Sequence, residues 1–562
     1  MVREASALQT RPTSPPRSVP RTSRRAALRL ITVGAGSALL AACAPLAPSS
    51  PSAPNQPAAA GSVAPTGTGL TPAPSGGAPT PAPTSGGTLR LGVSSDLTSL
   101  EGQLGIPPAN DTLWQVYDRL TEYDDQGQPQ PRLAQTWDVS SDYKQISLHL
   151  RQGVQYHSGR ELTSADIKWN VQRAQDPKVG VGQLAPLAQW WTGIETPDKY
   201  TVVLTSDQPR PGVFDFFEFF NILDPQTVQG SSAPTTPIGT GPFKFGEWVQ
   251  GDHISFPKNP NYWMTGRPYI DELHVPVVRD QAAMIVQLQA NAIDAVDTPA
   301  IVDAASLGAD QNYQLWKDAR TGAYALIAAD AQQAPTDNKL VRQALNWSIN
   351  RQRITDSVYR GLNGGPKDLP WPPQSPAYDA AKDAHYTFDL DKAKSLLQQA
   401  GVSNVALDFI LANGNNEQAS IAQIIQADLA SIGVNVTIKP MDLAAWRATT
   451  ASFKGWGLNV AQSAYAQLQA PTLPTMSAWW SYSASQTGFK DDQYTALVQQ
   501  AGAETDPTRL KQLLDQLNDY LLDQSFVMTL CALPSMVLTN KKVHGLRFTR
   551  HQGVDWTNVW LG

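Results

Sequence analysis

The sequence predicts an α/β protein of two or three domains whose ligand site lies at the ends of its strands. At 562 residues and 60.8 kDa the chain is longer than one ordinary core accommodates. Short alternating runs, such as Ile146, Leu148 and Leu150 interleaved with Ser147, His149 and Arg151, have the period of half-buried strands, and runs of helical period stand between them. Residues 405–411, 417–432 and 434–438 read as strand, helix and strand, a βαβ unit with a right-handed crossover. In open α/β sheets ligands bind beyond the carboxyl ends of the strands, which here is the loop Asn413-Gly414-Asn415-Asn416.

The chain begins with a basic stretch, Ser23-Arg24-Arg25-Ala26-Ala27-Leu28-Arg29, followed by an apolar run over 30–42 and small residues ahead of Cys43. That is the form of an export signal, and the paired arginines point to the twin-arginine route. The apolar run is shorter than the ~20 residues a bilayer-spanning helix needs, so no transmembrane helix is expected in the mature chain. Leu40-Ala41-Ala42-Cys43 resembles the bacterial lipoprotein box. The resemblance implies that Cys43 becomes the lipid-bearing N-terminus, anchored on the outer face of a membrane. Residues 44–87 carry no charge and are almost wholly Pro, Ala, Ser, Gly and Thr, too poor in apolar surface to offset chain entropy. They are expected to form a disordered tether.

Up to Cys43 there are seven arginines and one glutamate, which leaves 36 basic and 48 acidic side chains in the remainder, a formal charge of about −12. A chain of that sign is a poor partner for nucleic acid, whose affinity rests on Lys and Arg displacing counterions. With Cys43 assigned to the lipid, Cys531 has no partner for an internal disulfide, and its apolar setting predicts a buried, inert thiol.

Along the chain, an alternating strand over 87–93 runs into the polar loop Ser94-Ser95-Asp96. Thr163 is placed to cap a helix through Ile167, Trp169 and Val171, with Asp166 in its first turn. A glycine turn at 237–243 leads to expected strands around 243–245 and 254–256. A strand through Val275 and Val277 and a helix ending near Ala290 follow. Asp337 is expected to cap a helix through Val341, Leu345 and Ile349, and Asn350 a second one ending at Gly361. A further helix over 391–400 closes at Gly401.

Several chemistries are missing. No Gly-Lys pair exists, so there is no phosphate loop and no ATP hydrolysis; H-E-x-x-H and G-x-S-x-G are absent too. The seven histidines are scattered, and no His or Cys group has metal-ligand spacing. Neither metal nor cofactor is expected. Paired acids such as Asp124-Asp125 and Asp491-Asp492 sit in polar turns, where solvation is their natural role.

A series of runs resembles the family 5 extracellular solute-binding proteins, receptors of peptide ABC importers. They are Pro131-Arg132-Leu133-Ala134 with Trp137; Leu150-Arg151-Gln152-Gly153-Val154 with His157-Ser158-Gly159; and Ile238-Gly239-Thr240-Gly241-Pro242-Phe243. Asn259-Pro260-Asn261-Tyr262-Trp263 with Tyr269-Ile270-Asp271, Val341-Arg342-Gln343-Ala344-Leu345 and Lys392-Ala393-Lys394-Ser395-Leu396-Leu397 complete the series. Each is weak alone; their order and spacing are specific. The resemblance implies a two-lobed periplasmic-binding-protein-like clamp (class II type) with an extra subdomain in the N-terminal lobe. Lobe I would be 88–128, 233–325 and 534–562, its subdomain 129–232, and lobe II 326–533.

In peptide-binding members an aspartate shortly after a Gly-Trp pair holds the ligand's amino terminus, and Asn459 of Gly455-Trp456-Gly457-Leu458-Asn459 aligns with it. An amide cannot offer a carboxylate to an ammonium. That leaves room for a blocked peptide, an oligosaccharide or another neutral solute beside a free peptide. Trp456, Trp479, Trp480 and Tyr482 fall where relatives line the cleft, with core packing as the alternative for each. Asn413, Ser94 and Asp96 complete the candidate contacts, while Trp190-Trp191 and the aromatics of 214–220 are expected to pack. The implied function is a lipid-anchored, monomeric, non-enzymatic receptor outside the cytoplasm that delivers a peptide or similar solute to ABC permeases and their ATPase. A secreted glycan- or peptide-active enzyme would need paired carboxylates or a nucleophile with its base at the cleft. A surface adhesion protein fits the tether but not the motif series.

Overall fold

A computed structural model describes residues 82–103, 112–179, 181, 184–228, 236–452, 456–463, 471–550 and 553–562. Cys43, the export signal and residues 44–81 lie outside the described residues. The end of the segment read as a tether is held to the body: the Gly86 amide donates to the Tyr269 carbonyl (2.9 Å), and the Asp271 amide to that of Gly87 (2.8 Å).

The first strand, β1 (Thr88–Gly92), buries Leu89 and Leu91. A separate antiparallel sheet follows. Its strands β2 (Ala134–Val139) and β3 (Gln145–Leu150) pair directly, and the alternation seen in the sequence puts Ile146, Leu148 and Leu150 into its core. Helix α1 (Ser164–Gln175) packs on this sheet. The Asp166 carboxylate accepts from the Thr163 amide (2.8 Å) and hydroxyl (3.1 Å), so the helix starts where the capping pattern predicts. Strands β4 (Gly193–Asp198) and β5 (Thr201–Thr205) complete the order β2-β3-β5-β4.

The chain then returns through β6 (Trp248–Val249), β7 (His253–Pro257) and β8 (Glu272–Pro276), the last parallel to β1. Residues 243–245, expected as a strand, form the isolated bridge between Phe243 and Lys258, with the Lys244 amide donating to the Pro257 carbonyl (2.7 Å) while the Phe243 amide turns to the Gln115 carbonyl (3.1 Å). Helix α2 (Gln281–Gln289) leads to β9 (Ala295–Asp297), also parallel to β1.

The long strand β10 (Tyr313–Ala329) opens the second half, followed by α3 (Lys339–Trp347), α4 (Arg351–Ser357) and α5 (Leu390–Gln399). The cap of α3 is Asn338 rather than Asp337, since Asn338 has the extended backbone and its side chain accepts from the Leu340 amide (2.9 Å). This helix ends at Trp347, before Ile349, and α4 ends before Gly361. Next come β11 (Ala406–Ala412), α6 (Asn416–Ala430), β12 (Asn435–Met441), α7 (Leu443–Ala451), β13 (Leu458–Ser463) and the long β14 (Val527–Asn540). Strands β11 and β12 are parallel, as the βαβ reading requires.

Ten strands form one sheet in the order β12-β11-β13-β10-β14-β9-β1-β8-β7-β6. Its two halves meet on β10 and β14, whose pairing runs Tyr313 to Asn540 through Asp318 to Ser535, breaks, and resumes from Ala323 to Leu533. The break separates the half that carries β1 and β9 from the half that carries β11 and β13, and these are the two lobes. In the second half Tyr324, Leu326 and Ala328 face one core and Ala325, Ile327 and Ala329 the other, the period-2 signature of a sheet covered on both sides. Cys531, on β14, is buried, and burial pushes its thiol up to about 12, as its apolar neighbours predict.

Candidate functional site

A cavity of about 460 Å³ opens at the junction of the two halves. Asp297 and Thr298 line it from the carboxyl end of β9, Gly414, Asn415 and Glu417 from the turn between β11 and α6, and Gln462 and Ser463 from the end of β13. Leu533 and Ser535 line it from the break in β14. Three strand ends from both lobes thus converge, which is where an α/β sheet presents a ligand to fixed backbone and loop side chains.

The electrostatics are one-sided: Asp297 and Glu417 line the cavity, and among the described residues no Lys, Arg or His does. Burial pushes the Asp297 carboxyl up to about 6, partly countered by the Thr298 hydroxyl, which donates to its Oδ1 (3.3 Å). Tyr359, 2% exposed, also lines the cavity, and its buried hydroxyl has no hydrogen-bond partner. Burial, with the charge on Glu417 adding to it, raises that phenol well above its usual range. Such a wall is suited to holding a solute; among the described residues no group of three or more His, Cys, Asp or Glu could hold a metal.

The loop named from the sequence, 413–416, reaches this cavity through Gly414 and Asn415, while Asn413 is exposed and its amide donates to the Met441 carbonyl (2.7 Å). Asn459 stands elsewhere on β13, fully buried: its Oδ1 accepts from Trp446 Nε1 (2.8 Å) and its Nδ2 has no partner. Trp456, Trp479 and Trp480 are buried in the same core, on the β13 face shared by Asn459 and Ala461. Trp479 Nε1 donates to the Gln462 carbonyl (3.3 Å), so the tryptophans back the wall on which Gln462 sits.

Asp96 braces one loop against another, its carboxylate accepting from the Leu97 amide (2.7 Å), Trp248 Nε1 (2.8 Å) and the Gly251 amide (2.6 Å); Ser94 beside it is half-buried. Tyr482 lines a different and larger cavity, about 690 Å³, between the small sheet's domain and the second lobe. Trp190 lines it too, with Arg210 stacked 5.0 Å from its ring, whereas Trp191 and Phe216 pack as expected. Asp297, Tyr359, Gln462 and Ser463 were not singled out by sequence. The rule that pointed to 413–416 would have reached Asp297 had β9 been placed, because it is the last residue of a parallel strand.

The quoted runs are scaffold. Arg132 (2.8 Å), Thr240 (3.1 Å), Tyr262 (3.1 Å) and Trp263 (2.9 Å) all donate to the buried Asp118 carboxylate. Arg151 stacks 4.6 Å from the Trp263 ring, and His157 Nε2 meets the Gly241 carbonyl (3.0 Å). Gly239 and Gly241 lie so close to the backbone at 115–117 that a Cβ would collide with the Val116 and Gln115 carbonyls, which is why these positions need glycine.

Among the described residues no helix is long and apolar enough to cross a membrane. The model of the bacterial extracellular solute-binding proteins, family 5, matches residues 128–487. Heme-binding protein A of Haemophilus influenzae is 30% identical over 399 residues, 63% of this chain and 72% of the relative. The dipeptide-binding protein of Escherichia coli is 29% identical over 354 residues, 58% of this chain and 65% of that one, so the match spans just under two thirds of its length. The solved structure of the binding protein AgaA of A. tumefaciens, in complex with agropinic acid, superposes with a TM-score of 0.73 at 27% identity, covering 85% of this chain and 99% of that one. With its two lobes, its scaffold motifs and these relatives, the chain belongs to the family 5 extracellular solute-binding proteins, which are receptors outside the cytoplasm rather than enzymes.

Proposed function

We propose that the protein is a lipid-anchored receptor that takes up a peptide or similar small solute in the hinge cavity and hands it to an ABC importer. The observation that carries this is the meeting of three strand ends from two lobes around one cavity of about 460 Å³ in a solute-binding protein. Ligand contacts to both lobes favour the closed form, which a permease can then recognise. The lobes divide as 88–128, 233–325 and 534–562 against 326–533, with 129–232 as subdomain; the register break between β10 and β14 supports a hinge near those joins. Cys43 carries the lipid, residues beyond it form the tether, the export signal takes the twin-arginine route, and the receptor acts as a monomer.

The purified full chain should show one saturable site, a rise in melting temperature with ligand and a smaller radius of gyration on binding. Binding without any compaction would overturn the clamp. Cys43→Ala should fold normally but leave the membrane fraction, and recovery of a lipid-modified variant would remove the assignment.

A non-peptide solute is the second reading, favoured by one observation. Asn459 puts a buried amide, already bonded to Trp446, where the peptide-binding pattern has a carboxylate. The same titration with oligosaccharides in place of peptides tests it.

A further inference from the structure

The hinge cavity is lined by two carboxylates on opposite lobes, and among the described residues no cation meets them. Asp297 ends β9 in the first lobe, and Glu417 lies in the first turn of α6 in the second. Asp297 is met only by the neighbouring Thr298, through its hydroxyl (3.3 Å) and its amide, and among the described residues neither Asp297 nor Glu417 has a basic partner. Elsewhere in the first lobe, buried acids are neutralised: Asp118 by Arg132 (2.8 Å), Asp224 by Arg160 (2.7 Å), Glu101 by Arg173 (2.6 Å). A cavity left with this charge is built for a positive guest.

A third group narrows the guest. The Tyr359 hydroxyl is buried at the cavity wall without a partner, in the field of Glu417. A buried polar group in that state is unfavourable unless something fills it. The cavity offers two carboxylates and no histidine, and among the described residues no group of three or more His, Cys, Asp or Glu could hold a metal. An ammonium has three donors and no acceptor, which suits two carboxylates and a vacant hydroxyl.

We propose that the transported solute carries a protonated amine and that Asp297 and Glu417 hold this cation from the two lobes, with Tyr359 as a further acceptor. This rests on the receptor reading of the same cavity. It gives the amine-binding charge a new position, since Asn459 has none to offer. It also couples recognition to closure, because a cation shared by two carboxylates attracts both lobes, while in its absence they repel.

The test uses the full chain, stripped of bound solute by unfolding and refolding, with calorimetric titration and thermal melting against a panel of defined charge. The panel holds tetra-alanine with a free amino terminus, its N-acetylated form, putrescine, citrate and maltotriose. Amine-bearing members should bind and the acetylated peptide should not. Asp297→Asn and Glu417→Gln should each weaken amine binding by at least about 10-fold, the scale of one charge-assisted hydrogen bond. Unchanged ligand-free melting would show that both variants fold. Equal binding of tetra-alanine and its acetylated form, or amine binding undiminished in both variants, overturns the proposal while the receptor reading stands. Silence across the whole panel, with neither heat nor melting shift, overturns both.

Discussion

Asp294 and Asp297 are three residues apart, around one short strand, and the molecule treats them in opposite ways. Asp294 is fully buried, yet Arg90 reaches it with two donors (2.7 and 2.9 Å), Lys542 with a third (2.6 Å), and the Arg90 amide with a fourth (2.9 Å). Burial alone would raise its pKa; these partners outweigh it and hold the carboxyl below its usual range. Asp297 is half-buried at a cavity wall, is met only by the Thr298 hydroxyl and amide, and is pushed up to about 6. The first acid ties β1, β9 and the end of β14 together. The second is left without a basic partner among the described residues, at the wall of the cavity proposed to take the solute. Asp294 brings its own counter-charge; on the proposed reading Asp297 leaves that to the ligand.

The widest gap between them should appear in stability. Asp294→Asn removes the charge that both Arg90 and Lys542 depend on, and breaking a buried pair costs roughly 3–5 kcal/mol. Both cations are partly exposed, at 34% and 40%, and can turn to water, so a loss of about 3 kcal/mol in urea unfolding is expected. Asp297→Asn removes a charge that burial already disfavours, so at neutral pH it should leave stability unchanged or raise it by up to about 2 kcal/mol. Equal losses from the two substitutions would erase the distinction.

A second experiment moves a carboxylate to the position where the peptide-binding pattern has one. Asn459→Asp would place a charge on a fully buried side chain whose single donor is Trp446 Nε1, among Ala461, Leu326 and Trp456. Burying a charge with one hydrogen bond is unfavourable, so at neutral pH the variant should lose about 2 kcal/mol. The new carboxyl would have a raised folded pKa, so the deficit should shrink as pH falls and it becomes protonated. A deficit constant from pH 7 to pH 5 would mean that the site is wetter or more polar than these contacts describe.

The same contrast explains what could be read from the sequence. The motif runs were legible because they are scaffold: Arg132, Thr240, Tyr262 and Trp263 share one buried acid, and that network tolerates few alternatives. The βαβ unit was legible because its helix and strands are long and periodic; α6 and β12 fall within two or three residues of expectation. The site was legible only in part. Loop 413–416 followed from a topological rule, but Asp297 ends a three-residue strand too short to show a period, and Tyr359 follows a helix with no local mark of its orphan hydroxyl. The tryptophans near 456 and 480 were visible as aromatics, but composition could not tell a wall from its backing. The start of α3 shifted by one residue because Asn338, beside Asp337, made the better cap.

The smallest expected effect concerns the seam between scaffold parts. His157, in the turn after β3, joins the small sheet's domain to the 238–243 turn: its Nε2 meets the Gly241 carbonyl (3.0 Å), its amide donates to Gly239 (2.8 Å), and its buried Nδ1 has no partner. Burial pulls its pKa down to about 4, more strongly than the Gly241 bond lifts it. Between about pH 6.5 and pH 4 the unfolded chain therefore binds a proton that the folded chain refuses. Stability should be constant above pH 6.5 and fall as pH drops through that window, the full loss being reached near pH 4. Discounted for partial exposure, the loss from this group is about 1–2 kcal/mol. His157→Gln keeps a donor for Gly241 and cannot titrate, so the difference between its melting temperature and that of the parent chain should narrow on acidification. A gap that stays fixed from pH 7 to pH 4.5 would show that the imidazole is protonated equally well in both states, and the seam would then owe nothing to its neutrality.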